Sequence, residues 1–232
     1  MQYDLLWLVI PLAVIGFFFI LVVAACLWEK RPIQSYYVPP PGEEYAPSAV
    51  AIEANTQALA LGFRHAARCH DAKGKLYRVR YDFWVSPDNT IFAVVGSGSI
   101  AKILVNGISL YSRSSDGRIL STTNEIGEQD ISGVENQVTW PKLQFNPLLQ
   151  KHGQRLTEVA VKPFAGDSAL AAYFDIRRSK ADALVARNYA YYLDDNRTVW
   201  RYNLKGAVVF YFVCTWVRPL RRFCRRIGLV RA

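Results

Sequence analysis

The feature that most restricts how this chain can fold is an apolar run near its beginning. Leu5 to Trp28 are 24 consecutive residues without a charged side chain. As a helix with a rise of about 1.5 Å per residue, the run would be roughly 36 Å long, and the hydrocarbon core of a bilayer is about 30 Å thick. The sequence therefore predicts a transmembrane helix over residues 5–28 that binds the lipid bilayer.

The charges beside this run predict an orientation. No Lys or Arg precedes it, whereas Glu29, Lys30 and Arg31 follow it directly. Because excess Lys and Arg stay on the cytoplasmic side, we expect a single-pass protein of the plasma (inner) membrane with its N-terminus outside and its main domain in the cytoplasm. A cleaved signal peptide fits less well, since the basic n-region is missing and the run is too long. Val23 to Cys26 resembles a lipobox, so an exported lipoprotein acylated at Cys26 remains an alternative.

The rest of the chain divides by composition. Residues 29–48 contain five prolines, which predicts an extended linker. Residues 49–205 have the composition and hydrophobic patterning of one α+β globular domain. Residues 206–232 are first apolar and then rich in arginine. No CxxC spacing or disulfide framework is visible among the four cysteines, which is typical of a reducing compartment.

Local patterns within the domain predict an antiparallel sheet covered by helices. Ser48 is a candidate N-cap for a helix that runs to about Cys69. Leu76 to Ser86 alternates apolar and polar residues and is rich in β-branched and aromatic types, as in a strand. Further strands are predicted at residues 90–95, 103–112, 118–123 and 158–162, and further helices at 146–156 and 167–194. This succession indicates the α+β class.

The positive charge is concentrated at the C-terminus. The formal net charge is +9, and the last 27 residues hold six arginines and no acid. The remaining domain is nearly neutral, which argues against nucleic acid as a partner. Aromatic residues at helical spacing beside arginines predict a basic amphipathic segment that binds anionic lipid headgroups, although a solvated tail is the simpler alternative. The predicted surface residues are Arg218, Arg221, Arg222, Arg225, Arg226, Trp216 and Phe223.

One cluster has the residue types of a metal or cysteine site. His65, Cys69 and His70 lie close together, and on a helix His65 and Cys69 would face the same way. They are candidate metal ligands, or a thiol nucleophile beside an imidazole. Histidines near a helix C-terminus are also common for electrostatic reasons alone. We predict no cofactor and assign no catalytic residue.

A second pattern imitates a dinucleotide site. Gly96 to Ala101 follows an apolar strand with the spacing GxGxxA, and Asp116 lies about 20 residues downstream, as the ribose-binding acid of that motif does. Asn106 and Gly107, however, interrupt the helix that the motif requires. A hairpin loop between two strands explains the glycines more simply.

These observations favour a non-catalytic binding or interaction domain held at a membrane surface, with a membrane protein or the lipid surface as its partner. A membrane-tethered enzyme, a cysteine- or metal-dependent hydrolase centred on His65, Cys69 and His70, is the alternative. The exported lipoprotein module is a third.

Overall fold

The computed structural model describes residues 2–39, 45–71, 77–100, 103–125, 130–164, 169–213 and 216. The chain forms two compact units. Unit 1 comprises residues 1–33 and 181–232, and unit 2 comprises residues 34–180. Residues 181–205, which the sequence assigned to the globular domain, thus group with the two ends of the chain.

Unit 2 is built on one large sheet. Its strands are β2 (Tyr36–Tyr37), β3 (Arg64–Asp71), β4 (Tyr77–Val85), β5 (Phe92–Ile100), β6 (Ile103–Ser114), β7 (Ile119–Thr123), β8 (Glu135–Thr139) and β9 (Val161–Lys162). The order is β2-β3-β4-β5-β6-β7-β8, and β9 pairs with the far end of β6. The alternating segments predicted to be strands therefore do form strands, with ends shifted by a few residues.

The sheet is mixed, and the prediction of a purely antiparallel sheet is wrong. β7 and β8 are parallel, with Ile119 opposite Glu135, whereas the neighbouring pairs are antiparallel. Residues 135–139 were not among the predicted strands, yet they form β8. A parallel neighbour requires a crossover rather than a tight turn, so the local pattern did not predict the pairing.

Helices cover both faces of this sheet. Helices α2 (Ala49–Ala60) and α3 (Phe145–Leu156) pack on one face, where Ala54, Trp84 and Leu148 are buried. Residues 169–180 of helix α4 (Ala169–Ala186) pack on the other face, against Phe83 and Phe92. The α+β class is thereby confirmed.

The start of α2 is as predicted, but its end is not. Ser48 is the N-cap, with its Oγ 3.2 Å from the backbone nitrogen of Ala51. The helix ends at Ala60 because Gly62 takes a φ of +80° and directs the chain away, as glycine does after many helices. Residues 64–69, predicted to continue the helix, instead belong to β3, which pairs with β4.

Unit 1 contains helix α1 (Gln2–Trp28), helix α5 (Leu204–Phe212), residues 181–186 of α4 and a small antiparallel sheet. The sheet has the order β1 (Arg31–Pro32), β11 (Val199–Tyr202), β10 (Ala190–Tyr192). Phe19 of α1 packs edge-to-face on Tyr211 of α5 at 4.9 Å between ring centroids. Cys26 is buried in the same unit.

Helix α1 coincides with the apolar run, but its predicted role requires a correction. Within the described residues, no helix has both the length and the apolarity that crossing a membrane requires. The prediction of a transmembrane helix over residues 5–28, and with it the description as a single-pass membrane protein, is contradicted.

Candidate binding site

Unit 2 contains a cavity of about 710 Å³ beside strand β6. Residues from β4, β5, β6, the start of α2 and the two segments 124–125 and 141–144 line it. Its apolar lining includes Val50, Val79, Leu104, Val105 and Leu143, and its polar lining includes Tyr81, Asn106, Asn124, Glu125, Lys142 and Gln144. An apolar recess with a few polar groups is the usual composition of a ligand site.

Two glycines form part of the cavity wall. Strand register places Tyr81 opposite Gly96 and Gly96 opposite Gly107, so all three lie on the same face of the sheet. A Cβ at Gly96 would be 3.1 Å from the Tyr81 ring, and a Cβ at Gly107 would overlap the carboxyl group of Glu125. The absence of side chains at these two positions therefore makes room for Tyr81 and Glu125.

The polar groups of the cavity are one carboxyl, one ammonium and several amide or hydroxyl groups that both donate and accept. Burial raises the pKa of the Glu125 carboxyl above its ordinary value, because a charged carboxylate loses hydration there. The Oε1 atom of Gln144 is buried without a hydrogen-bond partner among the described residues. Gln144 is the N-cap of α3, but its side chain does not cap the helix. A ligand that donates a hydrogen bond would satisfy the Glu125 carboxyl.

The cavity lies along a part of β6 that extends beyond β7. β7 pairs with residues Ser109 to Arg113 of β6. Beyond this ladder, Ile108 bonds to Asn124. The Asn124 backbone nitrogen donates to the Ile108 carbonyl at 3.0 Å, and the Ile108 nitrogen donates to Asn124 Oδ1 at 2.7 Å. Backbone groups alternate in direction along a strand, so the N–H and C=O groups of Leu104 and Asn106 point the same way as those of Ile108.

In the part of the chain that the structure describes, no strand pairs with Leu104 and Asn106 on this side. Both residues are exposed. We call these outward backbone groups of Leu104 and Asn106 the β6 edge.

The three candidate metal or thiol residues lie on strand β3 and do not converge. Cys69 is opposite Tyr81, in the core beneath α4, whereas His70 is opposite Arg80 and points to the other face. Burial, and then the charge of Asp82, raise the pKa of the Cys69 thiol to about 11, which disfavours the reactive thiolate at neutral pH. His70 is fully buried and stacks on Tyr45 at 4.3 Å between ring centroids.

His65 instead belongs to a charged cluster around Asp82. Its Nε2 is 3.3 Å from Asp82 Oδ1, which also accepts from Arg68 Nε at 2.8 Å, and Arg80 Nε donates to Oδ2 at 2.9 Å. Asn55 of α2 donates to Oδ2 as well. Burial alone would raise the pKa of Asp82, but the hydrogen bonds from His65, Arg80 and Arg68 hold it well below its ordinary value. Within the described ranges, no group of His, Cys, Asp or Glu residues could hold a metal ion.

A second buried polar network surrounds His152 of α3. Ser112 Oγ donates to the Thr90 carbonyl, so it accepts from His152 Nε2 at 2.9 Å. Thr122 Oγ1 accepts from Arg155 and therefore donates to His152 Nδ1 at 2.8 Å. Burial, together with the Arg155 charge, lowers the pKa of His152 to about 3. The imidazole is thus neutral with both nitrogens bonded, as in a structural histidine.

The remaining residues that the sequence singled out are the glycine-rich segment and the C-terminal surface residues. Gly96 lies within β5, and the next described segment is β6 rather than a helix, which agrees with the hairpin and not with a dinucleotide motif. Trp216 is exposed. Arg218, Arg221, Arg222, Phe223, Arg225 and Arg226 lie outside the described residues.

The sequence did not single out Glu125 or Tyr81. The available signal was the pair Gly96 and Gly107, since glycine within a strand often marks a close approach, but their register only became known from the sheet.

No protein-family model, no curated protein and no solved structure matches this chain. The fold and the site define its class: an α+β domain with a mixed sheet covered on both faces, and a cavity beside the projecting end of a central strand.

Proposed function

We propose that unit 2 is a non-catalytic interaction domain that binds an extended segment of a partner polypeptide along the β6 edge. The observation that carries the proposal is the outward backbone of Leu104 and Asn106, to which no described strand pairs. An added strand would form main-chain hydrogen bonds with this edge, as in other complexes in which a peptide extends a sheet.

The cavity beside the β6 edge favours peptide binding there over a purely structural role for its backbone groups. A strand paired with β6 would lie beside Val105, Leu143 and Gln144, and its alternate side chains would enter the cavity. Main-chain bonds would provide affinity, and the cavity would provide selectivity.

The alternative hydrolase receives less support. Cys69 and His70 point to opposite faces of β3, and the pKa of the Cys69 thiol is raised. The imidazole of His152 has both nitrogens bonded to hydroxyl groups. We therefore place the functional site at the β6 edge and not at these residues.

The test uses the full chain and capped seven-residue peptides that alternate threonine and valine around a varied central position. Hydrogen exchange with mass spectrometry should show slower exchange of the Leu104 and Asn106 amides when peptide is bound. A matched peptide with proline at alternate positions should not bind, because it lacks the required N–H donors.

Two variants locate the binding. Asn106→Pro removes the outward N–H without removing a bond to β5, so it should weaken peptide binding at least about tenfold. Asn106→Ala retains the N–H and loses the side-chain bond with Ser48, so it should bind peptide more tightly than Asn106→Pro does. Absence of binding by every peptide, or equal binding by the two variants, would overturn the proposal.

A further inference from the structure

Position 125 indicates what kind of side chain the partner segment carries. Glu125 lies on Gly107 and near Gly96, on the same face as the Tyr81 ring. The carboxyl forms no hydrogen bond or ion pair within the described part of the chain. It is therefore an acceptor in the cavity wall that no described residue satisfies.

Nearby cations do not neutralise this carboxyl. Lys142 lines the same cavity, but it is exposed and forms no ion pair with Glu125 among the described residues. Burial is the cause of the raised Glu125 pKa, with no compensating attraction from a basic group. A buried carboxylate becomes favourable when a cation and its hydrogen bonds compensate for the lost hydration.

The shape of the cavity suits a long side chain with a charged end. Val79 and Val105, on the same face of the sheet as Gly107, are apolar lining for an aliphatic stem, and the Glu125 carboxyl is the acceptor for its end. Lysine and arginine have this form, with a hydrocarbon stem and a donor-only head group.

We infer that the partner segment inserts a lysine or arginine side chain into the cavity, where its head group binds the Glu125 carboxyl above Gly107. The inference rests on the proposed function, since the β6 edge positions the segment. It identifies the partner as an extended basic peptide rather than an acidic or wholly apolar one.

The test compares the same seven-residue peptides with lysine, norleucine or glutamate at the central position, measured by calorimetry with the full chain. The lysine peptide should bind about 10 to 100 times more tightly than the norleucine peptide, which corresponds to one hydrogen-bonded charge pair. Glu125→Gln should remove most of this preference and change norleucine binding by less than about threefold.

A second variant guards against a folding defect in Glu125→Gln. Gly107→Ala retains the charge but displaces the carboxyl, so it too should reduce the lysine preference. If the peptides protect the Leu104 and Asn106 amides from exchange but the lysine and norleucine peptides bind equally, the inference fails and the proposed function stands. Preference for the glutamate peptide would also overturn the inference. If no peptide binds, both fail.

Discussion

Gly107 and Glu125 are packed so closely that a Cβ at position 107 would overlap the carboxyl group of Glu125. Gly107 lies in the part of β6 that extends beyond β7, and Glu125 is the second residue after the end of β7. A glycine in the interior of a strand weakens the strand, so its presence here is explained by this close approach.

Gly107→Ala should destabilise the protein by about 1–3 kcal/mol, because the added methyl group forces the Glu125 side chain to move. Urea denaturation followed by circular dichroism measures the free energy of unfolding. Gly153→Ala is the matched control: no atom lies within 4 Å of its added Cβ, and the site is inside helix α3. The control should gain about 0.5–1 kcal/mol. Equal effects at the two positions would contradict the described packing.

His152 should make stability fall as the pH is lowered from 7 to 5. The pKa of His152 is about 3 in the folded protein and 6.5 in its ordinary state, so below pH 6.5 the unfolded chain binds the proton and the folded protein does not. The loss between pH 7 and pH 5 should be about 2 kcal/mol.

Urea denaturation at pH 7, 6 and 5 measures this dependence, and His152→Gln is the comparison. The variant should be less stable at pH 7, since glutamine does not reproduce both bonds to Ser112 and Thr122. Its stability should change less between pH 7 and 5 than that of the wild type. An unchanged slope would show that another group titrates.

Asp82→Asn should destabilise the protein by about 3–5 kcal/mol, because it leaves the buried Arg80 without its counter-charge. Since the pKa of Asp82 is lowered on folding, its contribution is present above the ordinary value of 3.8 and is lost as the pH falls below that value. Acid titration of the wild type and of Asp82→Asn, followed by circular dichroism, distinguishes the loss of stability that Asp82 causes at acidic pH from the loss that His152 causes between pH 7 and 5.

Asp116→Asn serves as the control for this charge change. Asp116 is also bound to an arginine, Arg118, but in an exposed turn where solvent screens the pair. Its replacement should have little effect on the unfolding midpoint. A comparably large effect at position 116 would mean that burial is not the reason for the importance of Asp82.

Cys69 should resist alkylation in the native protein. Its thiol is buried and has a pKa of about 11, so little thiolate is present at pH 7.5. Peptide-level mass spectrometry after iodoacetamide treatment should find Cys69 unmodified in buffer and modified in urea. Rapid native labelling of Cys69 would restore the thiol-enzyme alternative.

The alternation of residues was sufficient to locate strands of the large sheet. Residues 77–85 alternate core and polar positions, and the predicted limits 76–86 differ from β4 by one residue at each end. Ser48 was likewise identified as an N-cap from its type and position, and its side chain does bind the first turn of α2. Such features depend on neighbours in sequence, so local reasoning can find them.

β3 was missed for the opposite reason. Residues 64–71 contain several residues compatible with a helix. Their pairing with β4 depends on partners distant in the sequence, such as Asp82, which is 14 positions from Arg68. Pairing of this kind overrides weak local propensity. The change from helix to strand also moved Cys69 to the face opposite His70, which separated the predicted metal or thiol cluster.

By itself the sequence determined the α+β class, most strand positions and the start of α2, because periodicity and capping act within a few residues. Only the tertiary structure decided that Gly96, Gly107, Tyr81 and Glu125 share one cavity. Sheet register brings together residues from three strands and the segment after β7, and no local pattern specifies that register. The β6 edge likewise exists because β7 ends its pairing at Ser109, which is a property of the assembled sheet.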